Sequence, residues 1–136
     1  MSNIRVVNLS TYTAPKITED KRNKFVMYGE DNNYYQYLID QYQGSPTNNA
    51  IINGITEMIY GKGLNATNSN KKPMEYAEMI SLFKKEDMKK ICADFYLLGQ
   101  ATFQVYYNLD GSKIVKVEHF PVQTLRAEKA DRKGDI

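Results

Sequence analysis

Between Tyr28 and Leu64 the chain reads YGEDNNYYQYLIDQYQGSPTNNAIINGITEMIYGKGL, two helix-forming runs with a geometry-setting residue at every joint. The acidic turn Gly29-Glu30-Asp31-Asn32 leads into an aromatic run of Tyr34, Tyr35, Tyr37, Leu38 and Ile39. Gly44 ends that run. Ser45 then offers its hydroxyl to a first-turn N–H, and Pro46 sits at the first helical position, where a missing N–H costs nothing. Ile51, Ile55, Met58 and Ile59 recur at the spacing of one buried helical face, so these four are the expected core of the second run. Gly61 and Gly63 are both placed to supply the left-handed residue that stops a helix. The spacing predicts helices over 33–43 and 46–60, turned sharply against each other because only Gly44-Ser45 separates them.

The rest of the chain continues in the same manner. Ile4 to Leu9 is compatible with one short strand, and residues 18–24, polar and charged, read as an exposed arm or linker. A third helix is expected from Pro73 through Phe83. A fourth is expected from about Glu86, with Met88, Ile91, Cys92, Phe95 and Leu98 as its apolar stripe and Gly99 as its stop. The pattern is also compatible with one long kinked helix across Lys84-Lys85. The period then changes: residues 101–107 and 113–119 alternate around a loop holding Asp110-Gly111, the signature of a β-hairpin. Pro121 breaks the second strand, and residues 125–130 begin another extended piece before a turn at Asp131 to Asp135. A turn with only Ile136 after it implies a fragment of a larger protein. The expected fold class is α+β: several amphipathic helices on a small, mostly antiparallel sheet. An arm over 1–27 would precede one α+β region over 28–136.

Composition narrows function mainly by exclusion. Hydrophobic residues are 42% and charged residues 25%, ordinary for a globular chain of 136 residues. A net charge of +2 is too small to draw nucleic acid by bulk attraction. Between Lys84 and Asp94 four lysines alternate with three acids, a solvated helix face rather than a phosphate track. One cysteine excludes an internal disulfide framework, and its place on the fourth helix's stripe reads as a buried, inert thiol. No apolar run nears the ~18 residues of a membrane span, and Met1 to Ser10 lacks the apolar core of a signal peptide. An intracellular protein with no membrane partner is expected. Tyrosine is over-used, 11 against 5 Phe and no Trp, which supplies rings suited to half-buried surface and to interfaces alike.

Each candidate for chemistry has a plainer reading beside it. His119, the only histidine, has Glu118 as a neighbour and could act as a base, but a half-exposed strand position is the plainer reading and a His-pair metal site is excluded. Gly61-Lys62-Gly63 resembles part of a phosphate loop, yet it ends a helix where such a loop opens one. Glu30 and Asp31 could pair as carboxylates or bind a cation; beside Asn32 and Asn33 they read better as a turn and cap. Tyr106 and Tyr107, with Lys113 and Lys116, could stack and neutralise nucleic acid, giving a small nucleic-acid-binding module as the rival reading, but no RNP-type motif is present and sheet surface is the plainer reading. No nucleophile, base and orienting group come together, so no catalytic residue, metal or cofactor is expected.

The order of parts carries a resemblance. A YGEDN turn, a helix, a Ser-Pro junction, an Ile-rich helix and a Gly-x-Gly-Leu stop are followed by an apolar helix ending Leu98-Gly99-Gln100. Then come the strand Phe103-Gln104-Val105-Tyr106, the Asp110-Gly111 turn and a strand closing His119-Phe120-Pro121. Over about residues 26–130 this series resembles the N-terminal portion of tailed-bacteriophage portal proteins, particularly those of phages and prophages of Bacteroides-like bacteria. The resemblance implies a structural subunit of the virion, assembled in the host cytoplasm into a ring, usually of twelve copies, at one capsid vertex. Such rings pass DNA through their channel during packaging and ejection. They contact capsid and terminase, and they join the head to tail-adaptor proteins. It also implies that this portion builds the outer wing and that the DNA-facing elements lie later in the chain, so no DNA-contacting residue is assigned. In that role Gly29, Gly44, Ser45, Pro46, Gly61, Gly63, Gly99 and Gly111 set geometry, while Ile51, Ile55, Met58, Ile59, Met88, Ile91, Cys92 and Phe95 form core.

Overall fold

A computed structural model describes residues 14–20, 22 and 24–130. The described residues form an α+β fold, with four α-helices and small antiparallel sheets. The chain divides into two compact units, one up to Tyr34 together with residues from Ala127 onward, the other Tyr35–Arg126. This differs from the expected split after residue 27. The reason is a strand from the far end of the chain that returns to the N-terminal one. The expected strand at Ile4 to Leu9 and the turn at Asp131 to Asp135 lie outside the described residues.

The first unit is a three-stranded sheet with β2 (Phe25–Tyr28) in the middle. β1 (Ile17–Asp20) pairs with it antiparallel from Ile17↔Tyr28 to Asp20↔Phe25, and β5 (Ala127–Glu128) fills its other edge through Phe25↔Glu128 and Val26↔Ala127. Residues 18–20 are therefore strand, and Arg22 and Lys24 lie in a turn, where their polarity suggested a linker. Asp20 makes the turn twice over: its carbonyl accepts from Lys24 N at 3.0 Å and its carboxylate from Arg22 N at 2.8 Å. An edge strand exposed along most of its length needs no alternating apolar pattern, and charge on it discourages unwanted pairing. A Lys129–Glu19 ion pair lies across the sheet.

The acidic turn after β2 is a short 3-10 helix, Glu30–Asn32, in which Asp31 and Asn32 both adopt the left-handed region at φ 53° and 61°. Asn32 is buried, and its side-chain oxygen accepts the Tyr28 N–H at 3.1 Å. That bond offsets part of the backbone strain. Gly29, at φ 79°, precedes the turn.

The second unit holds α1 (Tyr34–Gly44, from Tyr35), α2 (Pro46–Tyr60), α3 (Pro73–Leu82), α4 (Lys85–Leu98), and the hairpin of β3 (Thr102–Tyr107) and β4 (Ile114–Phe120). Ser45 caps α2 as expected, its hydroxyl accepting from Asn48 N at 3.3 Å, with Pro46 in the first turn. Tyr42 Oη donates to Asn53 Oδ1 at 2.8 Å and holds α1 back against α2. α3 and α4 are separate helices. Phe83 and Lys84 are extended between them, Phe83 bridges Val117 of β4, and its ring meets Phe103 edge-on at 5.9 Å. β3 and β4 pair from Thr102↔Phe120 to Tyr107↔Ile114, with a bulge at Tyr106/Tyr107. Their loop is closed by Asn108, whose backbone and side chain both engage Lys113, and Gly111 sits in it at φ 69°.

α4 is the shared element of this unit, packing on α2 with one side and on β4 with another. Ile91 and Leu98 are buried there with Ile52, Val117 and Val122. Two core expectations are corrected. On α2 the buried residues are Ile52 and Thr56, while Ile51, Met58 and Ile59 are exposed at 54%, 73% and 47% and Ile55 is half-buried. Successive residues turn by about 100° around a helix, so the inward face is centred roughly one residue away from the expected stripe. On α4 Ile91 is buried and Met88 and Cys92 are half-buried, but Phe95 is 62% exposed. The place facing the sheet belongs to its neighbour Asp94, for a reason given below.

Two glycines separate geometric need from mere position. Gly63 has φ 88°, and a Cβ there would lie 3.0 Å from the Tyr60 hydroxyl; at Gly44 a Cβ would meet nothing within 4 Å. Gly44 therefore ends α1 without being required by its surroundings, contrary to expectation. Gly61 and Gly99 close α2 and α4 at positive φ. Replacing Gly63 with Val is expected to cost at least ~1 kcal/mol. Gly44→Ala should be neutral or stabilising by a few tenths of a kcal/mol, about what helix propensity allows near a helix end. Chemical denaturation of both variants checks the pair; equal effects would remove the distinction.

Candidate functional site

The most concentrated chemistry of the second unit lies where α4 faces β4. His119 Nε2 and Asp94 Oδ2 are 2.7 Å apart, with side chains only 13% and 19% exposed. An ionised carboxylate only accepts, so the ring nitrogen donates. Glu118, the sequence neighbour, points to the other face of the strand, as alternation requires. The dyad therefore joins helix to sheet and shares its face with Val117. Among the described residues no Ser, Thr or Cys hydrogen-bonds to His119, so the pair lacks the nucleophile that would make it an acyl-transfer site. The signal for Asp94 was present in the sequence as a lone acid inside the stripe Ile91 to Leu98.

On the opposite face of the hairpin Glu118 is the hub. It pairs with Lys116 and takes a hydrogen bond from the Tyr106 hydroxyl, while the Lys116 ammonium lies 5.6 Å from the Tyr106 ring centre. The bonds from Lys116 and then Tyr106 lower the Glu118 carboxyl below its usual range. The same bonds raise Lys116 and raise the Tyr106 hydroxyl. Lys113, the other lysine of this hairpin, is held by Glu78 of α3 at 2.8 Å. The two cations expected to meet phosphate are thus already neutralised by carboxylates of the same chain.

The remaining candidates are placed apart from both clusters. Cys92 is half-buried, and burial raises its thiol, which leaves little thiolate. Gly61-Lys62-Gly63 closes α2 and opens no helix. Glu30 and Asp31 form the turn described above, and among the described residues no group of three or more His, Cys, Asp or Glu could hold a metal ion. No described helix is long and apolar enough to cross a membrane. Tyr35, from the aromatic run of α1, is buried and accepts a hydrogen bond from Gln100, just past the Gly99 stop of α4.

Compared with family models, curated proteins and solved structures, the chain matches none.

Two outcomes test this assignment of roles. His119→Ala and Asp94→Ala should each destabilise by about 1–3 kcal/mol, with a coupling near 1 kcal/mol in a double-mutant cycle; strict additivity would mean that the pair contributes nothing as a pair. Glu118 should titrate below an ordinary glutamate by NMR, and Lys116→Met or Tyr106→Phe should raise it. Because the folded value is depressed, its stabilising effect is present above the unfolded value and fades as pH falls through the folded one. A Glu118 titration unmoved by either change would break the hub.

Proposed function

We propose that this chain is a structural part of a tailed-phage portal, contributing wing-like surface to a ring at one capsid vertex through which DNA enters and leaves. Its partners would be other copies of itself, with capsid, terminase and tail-adaptor proteins around the ring. The single observation that carries the reading is the apolar surface left on the helices. Ile51, Ile55, Met58 and Ile59 share one face of α2, and three of them are about half exposed or more, as is Phe95 on α4. Water-facing apolar residues in such a row fit contact with another protein surface. The ordered motifs from the YGEDN turn to His119-Phe120-Pro121 give that contact its portal context. The charged residues offer little against it, since Lys113 and Lys116 are both paired and the rival nucleic-acid module loses its cations.

Immunogold electron microscopy of particles from an induced prophage, with antibody to this chain, should label a single vertex per capsid. Label spread over the shell, or none on particles, would sink the proposal. Ile51→Glu with Met58→Glu should leave stability within about 0.5 kcal/mol, as for surface changes, yet abolish ring formation by the full-length protein. Intact rings from that double variant would remove the α2 face from the assembly.

A further inference from the structure

A cavity of about 430 Å³ opens where the end of α2 meets α3 and the start of α4. Tyr60, Tyr76, Ile80, Phe83 and Met88 give it an apolar, largely aromatic floor, and Lys62 and Lys85 stand in its wall. No carboxylate lines it. Its volume falls in the range of small-molecule sites, which are mostly apolar with a few placed polar groups.

The walls are held by specific contacts. The Tyr76 hydroxyl donates to the Leu64 carbonyl at 3.4 Å, tying α3 to the segment after α2. Lys89 lies 5.4 Å from the Tyr60 ring centre and is itself paired with Glu57. Gly63 leaves room for the Tyr60 hydroxyl, which a side chain there would crowd. Tyr60 and Tyr76 are thus fixed on two sides of the floor.

Half of the described lysines are ion-paired, and the two in this cavity belong to the other half. Lys72, Lys89, Lys90, Lys113, Lys116 and Lys129 each have a carboxylate partner. Lys62 and Lys85 form no ion pair among the described residues, and they share one apolar pocket. We propose that the cavity is a binding site for a small organic monocarboxylate whose aromatic or aliphatic body lies on the Tyr60–Phe83 floor and whose carboxylate meets Lys62 and Lys85. A monoanion fits better than a phosphate ester. Glu86 follows Lys85 in the first turn of α4 and adds a negative charge that disfavours a dianion more than a monoanion, while Asp87 is paired with Lys90. This site is independent of the portal reading.

Fluorine NMR of 4-fluorophenylacetate and its uncharged amide, titrated with the protein, tests the proposal directly. The carboxylate should bind about fivefold tighter than the amide, the upper size of one exposed ion pair, and high salt should erase the difference. Lys62→Ala with Lys85→Ala, both exposed, should bring the carboxylate down to the amide and leave the amide unchanged. Ile80→Trp, which fills the floor from a partly exposed position, should weaken both ligands, with circular dichroism confirming the fold. Equal binding of the two ligands, binding of neither, or a double-lysine variant with undiminished preference for the carboxylate would overturn it.

Discussion

The second unit depends on α4 having two partners at once. A helix that packs on only one neighbour can give its whole apolar stripe to that side, but α4 must meet α2 and β4 from different directions. Ile91 and Leu98 stand in one line seven residues apart, two turns of helix, and Asp94 occupies the turn between them. An acid at that place would be costly to bury alone. His119 makes it tolerable by donating across from β4, and the contact fixes the helix against one strand position. An apolar pair would pack as well but would specify register less sharply. Phe95 is displaced outward as the consequence.

What the sequence discloses best are the joints. Ser45 and Pro46 act where the chain itself supplies the hydrogen-bond partner three residues on, and Gly99 stops α4 by its own backbone freedom. Such features are local and so legible. The faces of the helices are not. On α2 the apolar residues Ile51, Ile52, Ile55, Met58 and Ile59 cover more than a third of the circumference, and no local rule says which part turns inward. Thr56 goes in although polar, and its hydroxyl is buried without a hydrogen-bond partner. Only the position of α4 decides this. β1 was illegible for a related reason: its polar side chains serve a turn and an edge, and its pairing is set by β2. Of the two polar clusters, His119 and Tyr106 were singled out in the sequence, while Asp94 entered only once helix and sheet were brought together.

The polar groups form a consistent pattern. Three lysines pair with acids from another element: Lys113 of the hairpin with Glu78 of α3, Lys89 of α4 with Glu57 of α2, and Lys129 with Glu19 of β1. Exposed pairs of this kind add little stability individually. Their larger effect is local: on the hairpin, Lys113 and Lys116 are both compensated by carboxylates. That face of the hairpin therefore offers a polyanion little free positive charge.

The order in which β2 acquires its neighbours has a consequence for synthesis. β1 and β2 are adjacent in the chain and can meet as soon as both leave the ribosome. β5, which closes the other edge of β2, is translated only after the entire second unit. Until then the nascent chain carries an open, half-apolar strand edge beside a unit that can already fold. Any pause or truncation before Ala127 prolongs that state, and open edges are where chains pair with the wrong neighbour. Completing the small sheet therefore waits on the whole second unit, and a tag or cut placed near residue 127 would act on a sheet whose other strands lie about a hundred residues earlier.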